Sequence, residues 1–141
     1  MPFNLDQICR QLVEQAPDAI VYADEQGLIR LWNAGAERIF GYAAAEALGQ
    51  SLDIIIPENQ RKRHWDGFGR TLATGATRYG ADSLLSVPAI RKDGSRLSVE
   101  FTILPFHGES GRIVGMAAIM RDVTIRFEEM KALRKQVAGA Q

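Results

Sequence analysis

The sequence has one cysteine, Cys9, so no internal disulfide can form and a cytoplasmic setting is the expectation. It has no charge bias, with Lys+Arg and Asp+Glu at 17 each. A neutral balance gives no general attraction to nucleic acid or to an anionic membrane surface. No apolar run approaches the roughly 18 residues of a membrane span. The opening Met1-Pro2-Phe3-Asn4 lacks a basic stretch followed by an apolar one, so no signal peptide is expected. A phosphate loop of the Gly-x4-Gly-Lys-Ser/Thr kind is absent. One cysteine cannot build a paired-cysteine zinc site. The hydroxyls, carboxylates and two histidines show no spacing of a nucleophile with its base. A binding or signalling role is therefore expected, not an enzyme.

What is present is enough hydrophobic sequence, 46% of 141 residues, for the core of one domain. Asn4 to Gln15 reads as an amphipathic helix, with Asn4 as its cap and Leu5, Ile8 and Leu12 at helical spacing. Cys9 lies on this helix and reads as a buried structural thiol. Ala19 to Ala23 and Leu28 to Trp32 are short apolar runs joined by Asp24-Glu25-Gln26-Gly27, a hairpin signal. Asn33 caps a short helix stopped by Gly41, and a second covers about Ala43 to Leu48. A longer helix is expected from about Glu58 to Thr74, after Pro57 and before Gly75.

The last third reads as sheet. Leu84 to Ile90 is strand-like, with Pro88 arguing for an edge. Lys92-Asp93-Gly94-Ser95 is a turn. Arg96 to Phe106 alternates, with Leu97, Val99, Phe101 and Ile103 on one face. Ile113 to Met120 is almost wholly apolar and is expected as a central strand packed on both faces. Phe127, Met130, Leu133 and Val137 form a stripe on a closing helix, whose tail Ala138 to Gln141 is expected to fray. The fold class is α+β with a five-stranded antiparallel sheet.

Several motifs now stand in order: Asp18 to Asp24, Leu31 to Tyr42 around Trp32-Asn33, Glu46 to Gln50, Ile56-Pro57, Arg91 to Gly94 and Arg121-Asp122-Val123-Thr124. In that order and spacing the chain resembles the PAS (sensory-box) family from about residue 12 to residue 126. The resemblance implies a curved sheet with short helices and one long helix over one face. It divides the chain into a flanking helix (1–16), a PAS core (17–122) and a C-terminal signalling helix (123–141). The apolar stripes of the two terminal helices must be buried on the chain's own sheet or on another copy. A homodimer through the N-terminal helix and sheet is therefore expected, with the last helix extending as a coiled-coil linker towards a downstream domain or partner.

Family members bind ligands, when they do, between the sheet and the long helix. The segment Arg61 to Gly75 is similar to the long helix of haem-binding PAS domains of the rhizobial oxygen-sensor type. There a helix histidine ligates iron and an arginine six residues later pairs with a propionate, the spacing of His64 and Arg70. Neutral imidazole ligates iron and guanidinium pairs with carboxylates, so haem b is the candidate cofactor and His64 the candidate metal ligand. Trp65 and Phe68 would flank it, with Phe101 and Ile103 facing from the sheet. Gly67 and Gly69 weaken the helix and suggest that something flat or bulky approaches the backbone. The strand arginine of those sensors is replaced by Leu85. Met116 and Met120 read as core before they read as a sixth ligand. A histidine at the rim of an apolar face can also simply bond a carbonyl, and an empty core, a small metabolite or a flavin stays open. The cysteine motif of the light-sensing class is absent from Asn59 to Trp65. His107 reads as an exposed loop residue, and Arg61-Lys62-Arg63 as solvated surface.

Overall fold

The computed structural model describes residues 4–75 and 84–139. Met1 to Phe3 of the opening and Ala140-Gln141 of the tail lie outside them. The elements follow the order α1 (Leu5–Gln15), β1 (Ala19–Asp24), β2 (Ile29–Trp32), α2 (Ala34–Phe40), α3 (Ala44–Ala47), α4 (Arg61–Thr74), β3 (Leu85–Ile90), β4 (Arg96–His107), β5 (Ile113–Asp122) and α5 (Thr124–Gly139). All strand pairs are antiparallel, in the spatial order β2-β1-β5-β4-β3. The longer helix starts later than expected. Pro57 is followed by a 3-10 turn over Glu58–Gln60, and α-helical bonding takes over only at Arg61.

Asn33 explains why the first third folds as one unit. Its side-chain oxygen accepts the Ala36 amide at 2.9 Å, capping α2, and the Ile20 amide at 2.8 Å, anchoring β1. Its amide donates to the Val13 and Asp18 carbonyls at 2.8 and 3.0 Å, tying down the end of α1. Such a residue, 5% exposed, is tolerated in a core because nearly all its polar capacity is used.

The sheet has two different faces. Val21, Ala118 and Ile103 form one row across β1, β5 and β4, and Met120, Phe101 and Leu85 form another across β5, β4 and β3. These rows look towards α4. Ile119 and Leu104 point the other way and are 44% and 50% exposed. The expectation that β5 packs on both faces holds only in part: on the outer face Tyr22 and Phe106 stack beside Gly115 and Ala117 is buried, but Ile119 stays exposed. α1 also differs from expectation. It buries no residue, Leu5 and Leu12 are 71% and 64% exposed, and Cys9 is exposed rather than buried.

Candidate functional site

α4 stands away from the sheet and encloses a cavity of about 790 Å³, within the range that holds a drug-sized ligand. The sheet wall is apolar throughout and includes Leu85, Phe101, Ile103, Met116 and Met120. The polar side chains lie on the helix wall: Arg63, His64, Arg70, Thr71 and Thr74. Thr71 and Thr74 donate their hydroxyls to the Gly67 and Arg70 carbonyls one turn back, so the two arginines and the histidine carry the chemistry.

His64 is half-buried, and its Nδ1 atom is fully buried with no hydrogen-bond partner among the described residues. A buried polar atom left unsatisfied costs stability, so the site holds a group that a ligand can complete. Burial pushes the His64 imidazole below its ordinary value, partly offset by the Asp53 carboxylate. The neutral form, the one able to donate a lone pair, is therefore favoured. The ring is held edge-on to Trp65 at 4.6 Å between centroids and tilted against Phe68 at 5.9 Å.

The cavity brings together His64, Phe68, Arg70, Leu85, Phe101 and Ile103. Trp65 is the exception among the expected site residues, because it does not line the cavity. It turns to the opposite side, where its Nε1 donates to Asp53 Oδ1 at 2.7 Å and its ring covers Gly27. Trp65 positions α4 rather than contacting the cavity. The basic cluster also divides. Arg61 and Lys62 lie near Asp53 and Asp66, while Arg63 lines the cavity, a role the reading of a solvated cluster missed. Helical spacing held the signal, since Arg63, Gly67 and Arg70 lie on one face. His107 ends β4 and is exposed, with Nε2 3.5 Å from the Gly75 carbonyl oxygen.

A second feature joins the sheet to α5. Asp122 accepts hydrogen bonds from the Thr124 amide at 2.9 Å and from the Thr124 hydroxyl, and pairs with Arg91 at 3.1 Å. The Thr124 hydroxyl in turn accepts the Ser98 amide at 3.0 Å, and the Val123 amide donates to the Ser98 carbonyl at 2.9 Å. Burial opposes the Asp122 charge, but the bonds from Thr124 and the Arg91 guanidinium outweigh it and hold the carboxyl below its usual range. Beside it, Arg121 pairs with Asp18 at 3.1 Å, so the roots of both terminal helices share one polar cluster.

A family model for the PAS fold matches residues 13–128. The chain belongs to the PAS-fold family. It is 30% identical over 115 residues to the sensor protein FixL of Bradyrhizobium diazoefficiens, covering 82% of this chain and 22% of that protein. It is 24% identical over 132 residues to the oxygen sensor protein DosP of Escherichia coli, covering 94% of this chain and 16% of that one. The chain thus spans about a fifth or less of the curated relatives it matches. The crystal structure of the PAS domain of a Colwellia psychrerythraea protein superposes with a TM-score of 0.74 at 25% identity, covering 86% of this chain and 98% of that one. This PAS domain is a sensory signal-transduction module. No helix among its described residues is long and apolar enough to cross a membrane.

Proposed function

We propose that this PAS domain senses a small ligand held between α4 and the sheet, with haem b as the best candidate, and relays the state of that cavity through α5. One observation carries the reading: the cavity-facing His64 has a buried ring nitrogen with no partner. His64 would hold the iron, Arg70 a propionate, and Phe68, Leu85, Phe101 and Ile103 the apolar macrocycle. Bound haem would supply an iron that takes neutral diatomic gases or changes oxidation state. The likeness to an oxygen sensor supports this class of signal. Leu85 and its apolar neighbours offer no hydrogen-bond donor from the sheet, so any selectivity for a gas would rest on shape and iron chemistry. A thiol–flavin adduct is disfavoured, because the one cysteine lies on α1 and does not line the cavity.

Ligand state would reach α5 through β4 and β5, which line the cavity and carry the Ser98–Thr124–Asp122 bonds. A ligand shifts such an equilibrium only by its differential affinity for the two states. Haemin titrated into the purified protein should give a Soret band that is lost in His64→Ala. Protein that takes up no haemin would end the haem reading.

A second reading is a ligand-free dimerisation module. The exposed apolar stripes of α1 and α5 and the exposed Leu104 and Ile119 on the outer sheet face favour it. In both readings α1 packs on the sheet of a second copy, and α5 continues towards a downstream partner as a paired helix.

A further inference from the structure

α4 has an electrostatic arrangement that the fold itself does not explain. Its first three residues, Arg61, Lys62 and Arg63, are all cationic, and no acidic residue stands in its first turn. Cations there oppose the positive end of the helix dipole. Arg61 and Lys62 are offset by Asp53 and Asp66. Arg63 has no acidic or hydrogen-bonding partner among the described residues, and neither has Arg70. Both are exposed and line the mouth of the cavity. Seven residues separate them, almost two full turns, which puts them on one face about 10 Å apart along the axis. Gly67 lies between them on the same wall. A Cβ built there would find only the Arg70 guanidinium, 3.9 Å away. The Arg70 side chain thus reaches back towards Gly67, and beyond the chain neighbours and the helix's own backbone no other described atom stands within 4 Å of that position.

We propose that Arg63 and Arg70 form a two-point clamp for a ligand with an apolar body and two carboxylates. The apolar body lies against the sheet wall, Gly67 gives it room beside the helix, and each guanidinium takes one carboxylate. The clamp rests on the reading of this cavity as a ligand site but does not require iron. A porphyrin dicarboxylate and a long aliphatic dicarboxylic acid present the same chemistry. The two guanidiniums, without an acidic partner among the described residues, are exposed to solvent, which screens their mutual repulsion. Guanidinium is suited to this role because it meets a carboxylate through two parallel donors.

The test uses the full chain with four probes: haemin, haemin dimethyl ester, hexadecanedioic acid and hexadecanoic acid. Binding is read by absorption for the haemins and by calorimetry for the acids, in wild type, Arg63→Gln, Arg70→Gln and His64→Ala. The clamp predicts that a free diacid binds at least about tenfold more tightly than its ester or mono-acid counterpart. It also predicts that each arginine variant loses about five- to tenfold of that preference. If haemin binds with a Soret band dependent on His64, while neither haemin nor the aliphatic diacid depends on Arg63 or on its second carboxylate, the clamp is wrong and the haem reading stands. If haemin does not bind and the aliphatic diacid shows the arginine dependence, the clamp stands and the haem reading falls. Equal binding of diacid and mono-acid, or no binding of any probe, overturns the clamp.

Discussion

The Trp65 indole donates a 2.7 Å hydrogen bond to the Asp53 carboxylate, and this pair fixes where α4 begins over the cavity. The ring edge rests on Gly27, which has a positive φ of 78°. A Cβ at Gly27 would come within 2.3 Å of the indole. Gly27→Ala combines a disfavoured left-handed backbone with overpacking, so it should cost about 2–4 kcal/mol in urea unfolding. Trp65→Phe keeps most of the ring but removes the indole bond to Asp53, which still has Arg61 and solvent, for about 1 kcal/mol. Because Trp65 also supports the His64 ring, both variants should weaken haemin binding without touching the cavity wall.

Gly67 and Gly69 separate helix stability from binding. Neither has a protein atom that forbids a side chain: at Gly69 a Cβ meets nothing within 4 Å. Alanine at either position should stabilise the ligand-free protein by about 0.5–1 kcal/mol, the helix-propensity gain. Only Gly67 lines the cavity. Gly67→Ala should therefore weaken haemin binding, and Gly69→Ala should leave it unchanged. Thermal melts and haemin titrations of both variants read the contrast directly.

Those two glycines mark the boundary of what sequence pattern could reveal. The hairpin at Gly27, the Asn33 cap, the alternation in β4 and the stop at Gly75 were legible because each is a local rule of backbone chemistry. Helical spacing placed His64 and Phe68 on one wall for the same reason, whereas Arg70 was reached only through the family resemblance. Trp65 was misplaced because its apolarity says that it is buried, not what it packs on. Its partners, Asp53 and Gly27, are distant in sequence. Cys9 was misread because an amphipathic stripe says that a helix needs a partner but not whether the same chain supplies it. In this fold α1 lies off the core, and the stripe stays exposed.

Acid should weaken the fold through His64. Its pKa lies below the ordinary 6.5 in the folded chain because burial disfavours the charged imidazole. As pH falls, the unfolded chain takes up this proton first. Stability contributed by neutral His64 is full above about 6.5 and declines as pH drops below it. The group cannot produce a loss on the alkaline side. Urea midpoints of wild type between about pH 7.5 and about pH 5.5 should fall on acidification. His64→Phe should flatten that fall, and an unchanged slope would show that His64 is not its source.

The uncovered surfaces predict the oligomeric state. Leu12 on α1 and Ile119 on the outer sheet face are 64% and 44% exposed, an exposure that a second copy would remove. Leu12→Asp and Ile119→Arg should each convert a dimer to a monomer in light scattering, while circular dichroism stays unchanged because neither side chain belongs to the core. Cys9 lies beside Ile8 and one turn before Leu12, so maleimide should label it slowly in wild type and quickly in either variant. A wild-type chain of monomeric mass at high concentration, with Cys9 freely labelled, would rule out this interface.

Thr124 offers the sharpest test of how the cavity reaches α5. Its hydroxyl is shared between Asp122, to which it donates, and the Ser98 amide, from which it accepts. One side chain thus joins the end of β5, the start of β4 and the first turn of α5. Thr124→Val keeps the shape but leaves the part-buried Ser98 amide without an acceptor, which should cost about 1–3 kcal/mol. Thr124→Ser keeps the hydroxyl and should cost less than half as much. The decisive readout is local. Amide exchange in α5 from Phe127 onward should accelerate in Thr124→Val, while the Asp24–Leu28 hairpin keeps its protection, because the hairpin makes no contact with this junction. If ligand changes α5 exchange in wild type and in Thr124→Ser but not in Thr124→Val, the hydroxyl carries the signal. If the change survives in Thr124→Val, the Val123 amide bond to Ser98 or the Arg91–Asp122 pair must carry it instead.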